Sequence, residues 1–165
     1  MKYKFFSTIL AVVTLIIISC SKDKSPYNPD TSSNNVSATI SIGNNAPFQF
    51  SATGAAAKIY PLLVNPSSYR IDAKDANNNN LIIAVDNVTK TGTYPFTGSN
   101  SGVGSGLSFL AGSLYWTSDP SITNKGSVTI TALNNHHIEG LFTAFCKNNN
   151  TGDDAQVNGS FKGNF

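Results

Sequence analysis

Charge and cysteine are both scarce in this chain of 165 residues, and each scarcity removes a class of function. Eleven basic and nine acidic residues leave a formal net charge of +2, too little to argue for electrostatic steering toward nucleic acid. Two cysteines, Cys20 and Cys146, do not make a disulfide framework, and the chain is long enough to bury one core without such staples. Catalytic motifs are missing as well. There is no His-Glu-x-x-His, no pair of closely spaced cysteines and no Gly-x-Ser-x-Gly elbow, since Gly104-Ser105-Gly106 has the wrong spacing. The glycine-rich run from Ser99 to Leu107 has no lysine in Walker spacing after it, so it reads as a flexible loop rather than a phosphate cradle. No helical period persists for three turns beyond Cys20, and only Ala52 to Lys58, with three consecutive alanines, suggests a single turn.

One long apolar run is present, from Ile9 to Ile18, interrupted only by Thr14. Lys2 and Lys4 precede it and small Ser19 follows, the layout of a signal peptide rather than a permanent spanning helix. The stretch Leu15-Ile16-Ile17-Ile18-Ser19-Cys20 resembles the lipobox of bacterial lipoproteins, in which the cysteine is lipidated and becomes the new N-terminus. That resemblance implies a lipid on Cys20, attachment to a membrane through it, and a place in the bacterial cell envelope, at the outer membrane. Loss of residues 1–19 would remove Lys2 and Lys4, leaving nine bases against nine acids and a neutral mature chain. Cys146 would then be the only free thiol, expected to act as a small buried hydrophobe. Residues 20–35 hold the lipidated cysteine and a tether with almost no apolar side chain, expected to be disordered. Fifteen such residues hold a domain within ~50 Å of the bilayer.

Residues 36–165 are expected to form a single β domain. Short runs of alternating character recur between clusters of Gly, Asn, Asp and Pro, and predict strands near Val36–Ile42, Phe48–Thr53, Lys58–Val64, Tyr69–Ala73, Leu81–Val85, Gly92–Phe96, Leu107–Trp116, Ser127–Leu133, Ile138–Lys147 and Ala155–Phe165. Val128 and Ile130 should point inward from the eighth, Ile138, Phe142, Ala144 and Cys146 should share one face of the ninth, and Val157, Phe161 and Phe165 one face of the last. Gly140, Gly159 and Gly163 lie inside these strands, where they permit bends or bulges. Short connections favour antiparallel pairing. The fold class is therefore all-β, an antiparallel sandwich or barrel of about 8–10 strands, following the N-terminal signal helix.

The segments Gly126-Ser-Val-Thr-Ile-Thr, Ile138-Glu-Gly-Leu-Phe-Thr-Ala-Phe and Val157-Asn-Gly-Ser-Phe, with Gly92-Thr93-Tyr94 upstream, resemble a family of uncharacterised lipoproteins from Bacteroidetes. The resemblance covers roughly residues 36 to 165 and implies a secreted or surface β domain. It supplies no catalytic residues.

Four constellations bear on chemistry. His137 and Glu139 can converge on one strand face while His136 points away, but two ligands make a poor zinc site, and the group reads as a polar hairpin shoulder. Among the acids Asp72, Asp75, Asp86, Asp153 and Asp154, the run Asp72-Ala-Lys-Asp75-Ala-Asn77 offers oxygen ligands at alternating spacing and Asp153-Asp154 sits in a Gly/Asn turn, so calcium could bind such loops, though without the glycine and terminal glutamate of an EF-hand; solvated turn acids are the plainer reading. The Asn-rich runs, at Asn77–Asn80 and Asn148–Asn150 above all, read as turn punctuation. Among the aromatics, Trp116 and Tyr115 fall on opposite faces of the segment Leu107–Trp116, so at least one large ring should reach the surface, where it could hold a sugar. These residues are the candidate ligand-binding pair. The resulting expectation is a non-enzymatic, lipid-anchored envelope module, without cofactor or metal, that binds a glycan or another envelope protein. An assembly subunit without a small ligand is the alternative, and an envelope hydrolase comes third.

Overall fold

Strict alternation builds the longest strand. From Ile138 to Asn148 every even-numbered residue is buried, while its odd-numbered neighbours face outward. The same period runs through the rest of a computed structural model, which describes residues 29–98, 104–118 and 122–165. Its strands are β1 (Asn35–Ile42), β2 (Phe48–Thr53), β3 (Ala57–Pro61), β4 (Tyr69–Lys74), β5 (Asn80–Val85), β6 (Gly92–Pro95), β7 (Gly106–Ala111), β8 (Leu114–Thr117), β9 (Gly126–Asn134), β10 (His137–Asn148) and β11 (Asp154–Asn164). A single 3₁₀ turn, Gly54–Ala56, links β2 to β3, where the three alanines suggested one turn. The signal helix and Cys20 lie outside the described residues.

The all-β, antiparallel expectation is met, with eleven strands among the described residues where about 8–10 were expected. All pairs are antiparallel, and the main path runs β2-β1-β11-β10-β8-β7-β5-β4-β3. The sheet forks at β10. Residues His137 to Ala144 pair with β9, which carries β6 on its other edge, while Lys147 and Asn148 pair with β8. The two limbs curl toward each other around one core that includes Ile40, Phe50, Ile71, Leu81, Ile83, Leu107, Val128, Ile130 and Ile138. Ring contacts join the β2-β1-β11 end of the path to the β8-to-β3 limb: Phe48 of β2 lies 5.8 Å from Phe109 of β7, and Tyr69 of β4 lies 5.0 Å from Phe165 beyond β11. Burying each large apolar side chain contributes roughly 1.5–3 kcal/mol.

The ladder stops short of closure, because β2 and β3 end the path without pairing to each other. One side chain stitches the seam. Asn34 is 1% exposed; its Nδ2 donates to the carbonyls of Ala57 and Asn164 at 3.0 and 3.3 Å, and its Oδ1 accepts from the Asn164 amide at 2.8 Å. The ordered domain thus begins before residue 36, and Asn34 and Asn35 belong to the fold rather than to the tether. A buried amide that links three chain segments supplies the interactions a polar tether lacks.

Two further boundaries differ from expectation. Strand β3 ends at Pro61, and Leu63 and Val64 stand fully exposed on the following loop. The segment Leu107–Trp116 is a hairpin rather than one strand, because Gly112, at φ +60°, turns the chain between β7 and β8.

The strand glycines have two uses. The register of β9 against β10 shifts between Glu139 and Gly140, but the extra residue is Thr131 of β9, so the irregularity faces Gly140 rather than lying in its own strand. Gly159 and Gly163 occur without any register shift in β11; they leave room instead. Gly140 lies opposite Phe161 and Gly159 opposite Phe142, and each ring covers its facing glycine. The two rings stack with centroids 6.4 Å apart.

Candidate functional site

The limb β3-β4-β5-β7-β8 turns Ile59, Ile71, Leu81, Ile83, Leu107 and Phe109 inward, so the alternate residues form its outer face. Register arranges them in rows. One row is Tyr60, Arg70, Ala84 and Gly106; the next is Lys58, Asp72, Ile82, Ser108 and Thr117; the third is Lys74, Asn80, Leu110 and Tyr115. Two depressions of about 710 and 430 Å³ lie on this face, and both are bounded by Ile82, Ser108 and Tyr115. An apolar floor with a few converging polar groups is the usual character of a small-ligand site.

Tyr115 is 43% exposed, and its hydroxyl lies 2.8 Å from Ser108 Oγ, which fixes the ring at the shared wall. On β4, across the larger depression, Asp72 gathers two donors. Arg70 Nε donates to Oδ1 at 2.8 Å and the Tyr60 hydroxyl to Oδ2 at 2.6 Å. Burial, then the hydrogen bond to Asp72, pushes the Tyr60 phenol above its ordinary value, so it remains a protonated donor. Burial opposes the charge on Arg70, but the hydrogen bond and attraction of Asp72 outweigh it and hold the guanidinium above its usual value.

Trp116 does not share this face. It is 2% exposed, paired in register with Phe109, and its ring lies 5.8 Å from that of Phe109 inside the core. The expectation of a Trp116 surface platform is therefore corrected: the turn at Gly112 reverses the chain and puts Phe109 and Trp116 on one face. Of the candidate pair, Tyr115 alone presents its ring to the outside.

The other constellations resolve as local structure, although the expectation of solvated turn acids is corrected for Asp72, which lies within β4 paired with Arg70, and for Asp75, which is buried. His137 and Glu139 do converge, with Nε2 2.9 Å from Oε1, and His137 Nδ1 lies 2.8 Å from Asn164 Oδ1, so both ring nitrogens are engaged. The hydrogen bond to Asn164, followed by that to Glu139, raises the His137 pKa against a smaller opposing effect of burial. Asp75 organises its own turn: it accepts from the amides of Asn77 and Asn79 and from Asn79 Nδ2, while Asn78 adopts φ +65°. Asp153 accepts from Thr151 Oγ1, and Asn148 Oδ1 accepts from the amides of Asn150 and Thr151. The Asn runs are turn chemistry, as their composition suggested. Among the described residues no three His, Cys, Asp or Glu side chains gather in a metal-binding group. Cys146 is buried, and burial pushes its thiol up to about 12.

The sequence marks Tyr60 only as one of several aromatics and gives no local signal for Lys58, Lys74 or Ser108. The alternation Arg70-Ile71-Asp72 was available as a signal, since it sets cation and anion on one strand face. No family model, curated protein or solved structure matches the chain.

Proposed function

We propose that the protein is a lipid-anchored binding module of the bacterial outer membrane that takes a glycan on the outer face of the β3-β4-β5-β7-β8 limb. The observation that carries this reading is the half-exposed Tyr115 ring at the common wall of two depressions, hydrogen-bonded to Ser108, with Asp72 on the lining of the larger depression. A flat ring meets the C–H face of a sugar, while hydroxyl and carboxylate groups meet its hydroxyls. The membrane half of the proposal rests on the lipobox resemblance around Cys20 and on the likeness to Bacteroidetes lipoproteins. Applied to a glycan array, the full chain should bind, and Tyr115→Ala should lose the signal. Wild-type protein that binds no glycan would end this reading. For the anchor, Cys20→Ala should abolish fatty-acid labelling and membrane retention; a variant that still takes up labelled acyl chains would remove the lipobox argument.

An envelope-protein partner is the second reading, supported by Leu63 and Val64, which protrude fully exposed from the loop after β3. Cross-linking at position 63 in cells should then capture one defined protein, and a lack of any adduct would count against it.

A further inference from the structure

The larger depression is lined on one side by Lys58 and Lys74, both exposed. Lys58 lies directly opposite Asp72 in the β3/β4 register, and Lys74 follows two residues later on the same face, so the lysines are diagonal neighbours. Diagonal neighbours on a sheet stand about 7–8 Å apart, within a Debye length, so the two ammonium groups add to a common positive field at this edge of the depression. Asp72 and Asp75 line the same depression, but both carboxylates are engaged by other groups. Asp72, the facing carboxylate, is held by Arg70 and Tyr60, and Asp75 is buried and takes three hydrogen bonds within its own turn. Among the described residues the ion pairs are Arg70–Asp72 and His137–Glu139, and neither involves these lysines. Between the ammonium groups and Tyr115 runs an apolar floor that includes Ile82 and Leu110.

We infer that this depression binds an acidic glycan whose carboxylate-bearing sugars, of the uronate class, set their anionic groups against Lys58 and Lys74 while a sugar face rests on Tyr115. The inference deepens the glycan reading and depends on it. It differs in one respect: it assigns charge recognition to two lysines that the fold itself does not use. A uronate supplies the carboxylate to answer the ammonium groups, C–H bonds for the ring and floor, and hydroxyls for Ser108 and Asn80.

The test uses the full chain, with polygalacturonate as the acidic probe and its carboxyl-reduced polymer as the neutral one, both measured by affinity electrophoresis. Wild type should bind the acidic polymer more tightly, with affinity that falls as salt is raised. Lys58→Gln/Lys74→Gln should bind it at least about tenfold more weakly and lose the preference over the neutral polymer. Unchanged circular dichroism and thermal unfolding of the double variant would show that the fold is retained. Equal binding of both polymers, or an acidic preference that survives the double substitution, would overturn the inference and leave the glycan reading standing. Failure of the wild type to bind either polymer or any arrayed glycan would overturn both.

Discussion

Gly159 shows how much one hydrogen atom can decide. A Cβ there would strike the Ser37 carbonyl, press to 2.5 Å from the Phe142 ring and meet Ala38 Cβ at 2.9 Å. Backbone on one side and a stacked ring on the other leave little room to yield. Gly159→Ala should therefore destabilise by about 1–3 kcal/mol, the range for overpacking, measured as a lowered urea midpoint at constant slope. Cys146 sits in the same strand pair, opposite Ala155, with its thiol pushed up to about 12 by burial. In a Cys20→Ser background, where it is the only thiol, it should react with an aromatic disulfide reagent at a negligible rate when folded and promptly in denaturant. Rapid labelling of the native protein would show that the thiol is accessible. The buried fate of Cys146 was legible in its apolar alternating run. The service of Gly159 was not, because the atoms it makes room for come from strands distant in sequence.

At the scale of elements, the hairpin of β7 and β8 separates what local pattern reveals from what it hides. Residues Leu107 to Trp116 carry strand character throughout, so their extended state was readable. The turn was not recognised, although Gly112-Ser113 is acceptable turn chemistry, and the omission inverted the parity of everything beyond it. Phe109 and Trp116 differ by an odd number of positions, which places them on opposite faces of a single strand and on one face of this hairpin. Trp116→Ala should accordingly cost about 3–5 kcal/mol in denaturant unfolding, as for a buried aromatic. Trp116→Phe should cost less, since the indole Nε1 has no hydrogen-bond partner to lose. Tyr115→Ala, by contrast, should stay within about 0.5 kcal/mol of wild type while it abolishes glycan binding. If stability followed Tyr115 and binding followed Trp116, the assignment of faces would be reversed.

For the whole molecule, the all-β class and antiparallel pairing were legible because period, turn residues and short connections all agreed. The candidate face was not, since Tyr60, Asp72, Ser108 and Tyr115 become neighbours only through the registers of four strand pairs. Alternation tells which way a side chain points, never which strand lies beside it. Stability as a function of pH is also a property of the assembled sheet. His137, at the start of β10, is raised above 6.5 by Asn164 at the end of β11 and by Glu139, with Lys162 opposing. The native state therefore holds this proton more tightly than the unfolded chain. Its contribution is complete below pH 6.5 and is lost as pH rises through the raised folded value. Solvent screening keeps the effect under about 1 kcal/mol. Chemical denaturation across that window should show a small decline in stability, reduced in Asn164→Ala and Glu139→Gln.

The seam at Asn34 has a mechanical meaning. A pull on the chain ahead of it enters β1 at its first residue and acts along the strand. Because β1 lies between β2 and β11, with registers that begin at Asn35↔Thr53 and Asn35↔Lys162, both ladders would be loaded in shear. Many hydrogen bonds would then share the force instead of opening one by one. A domain tugged by its proposed anchor would be held by a strand whose two ladders share the load.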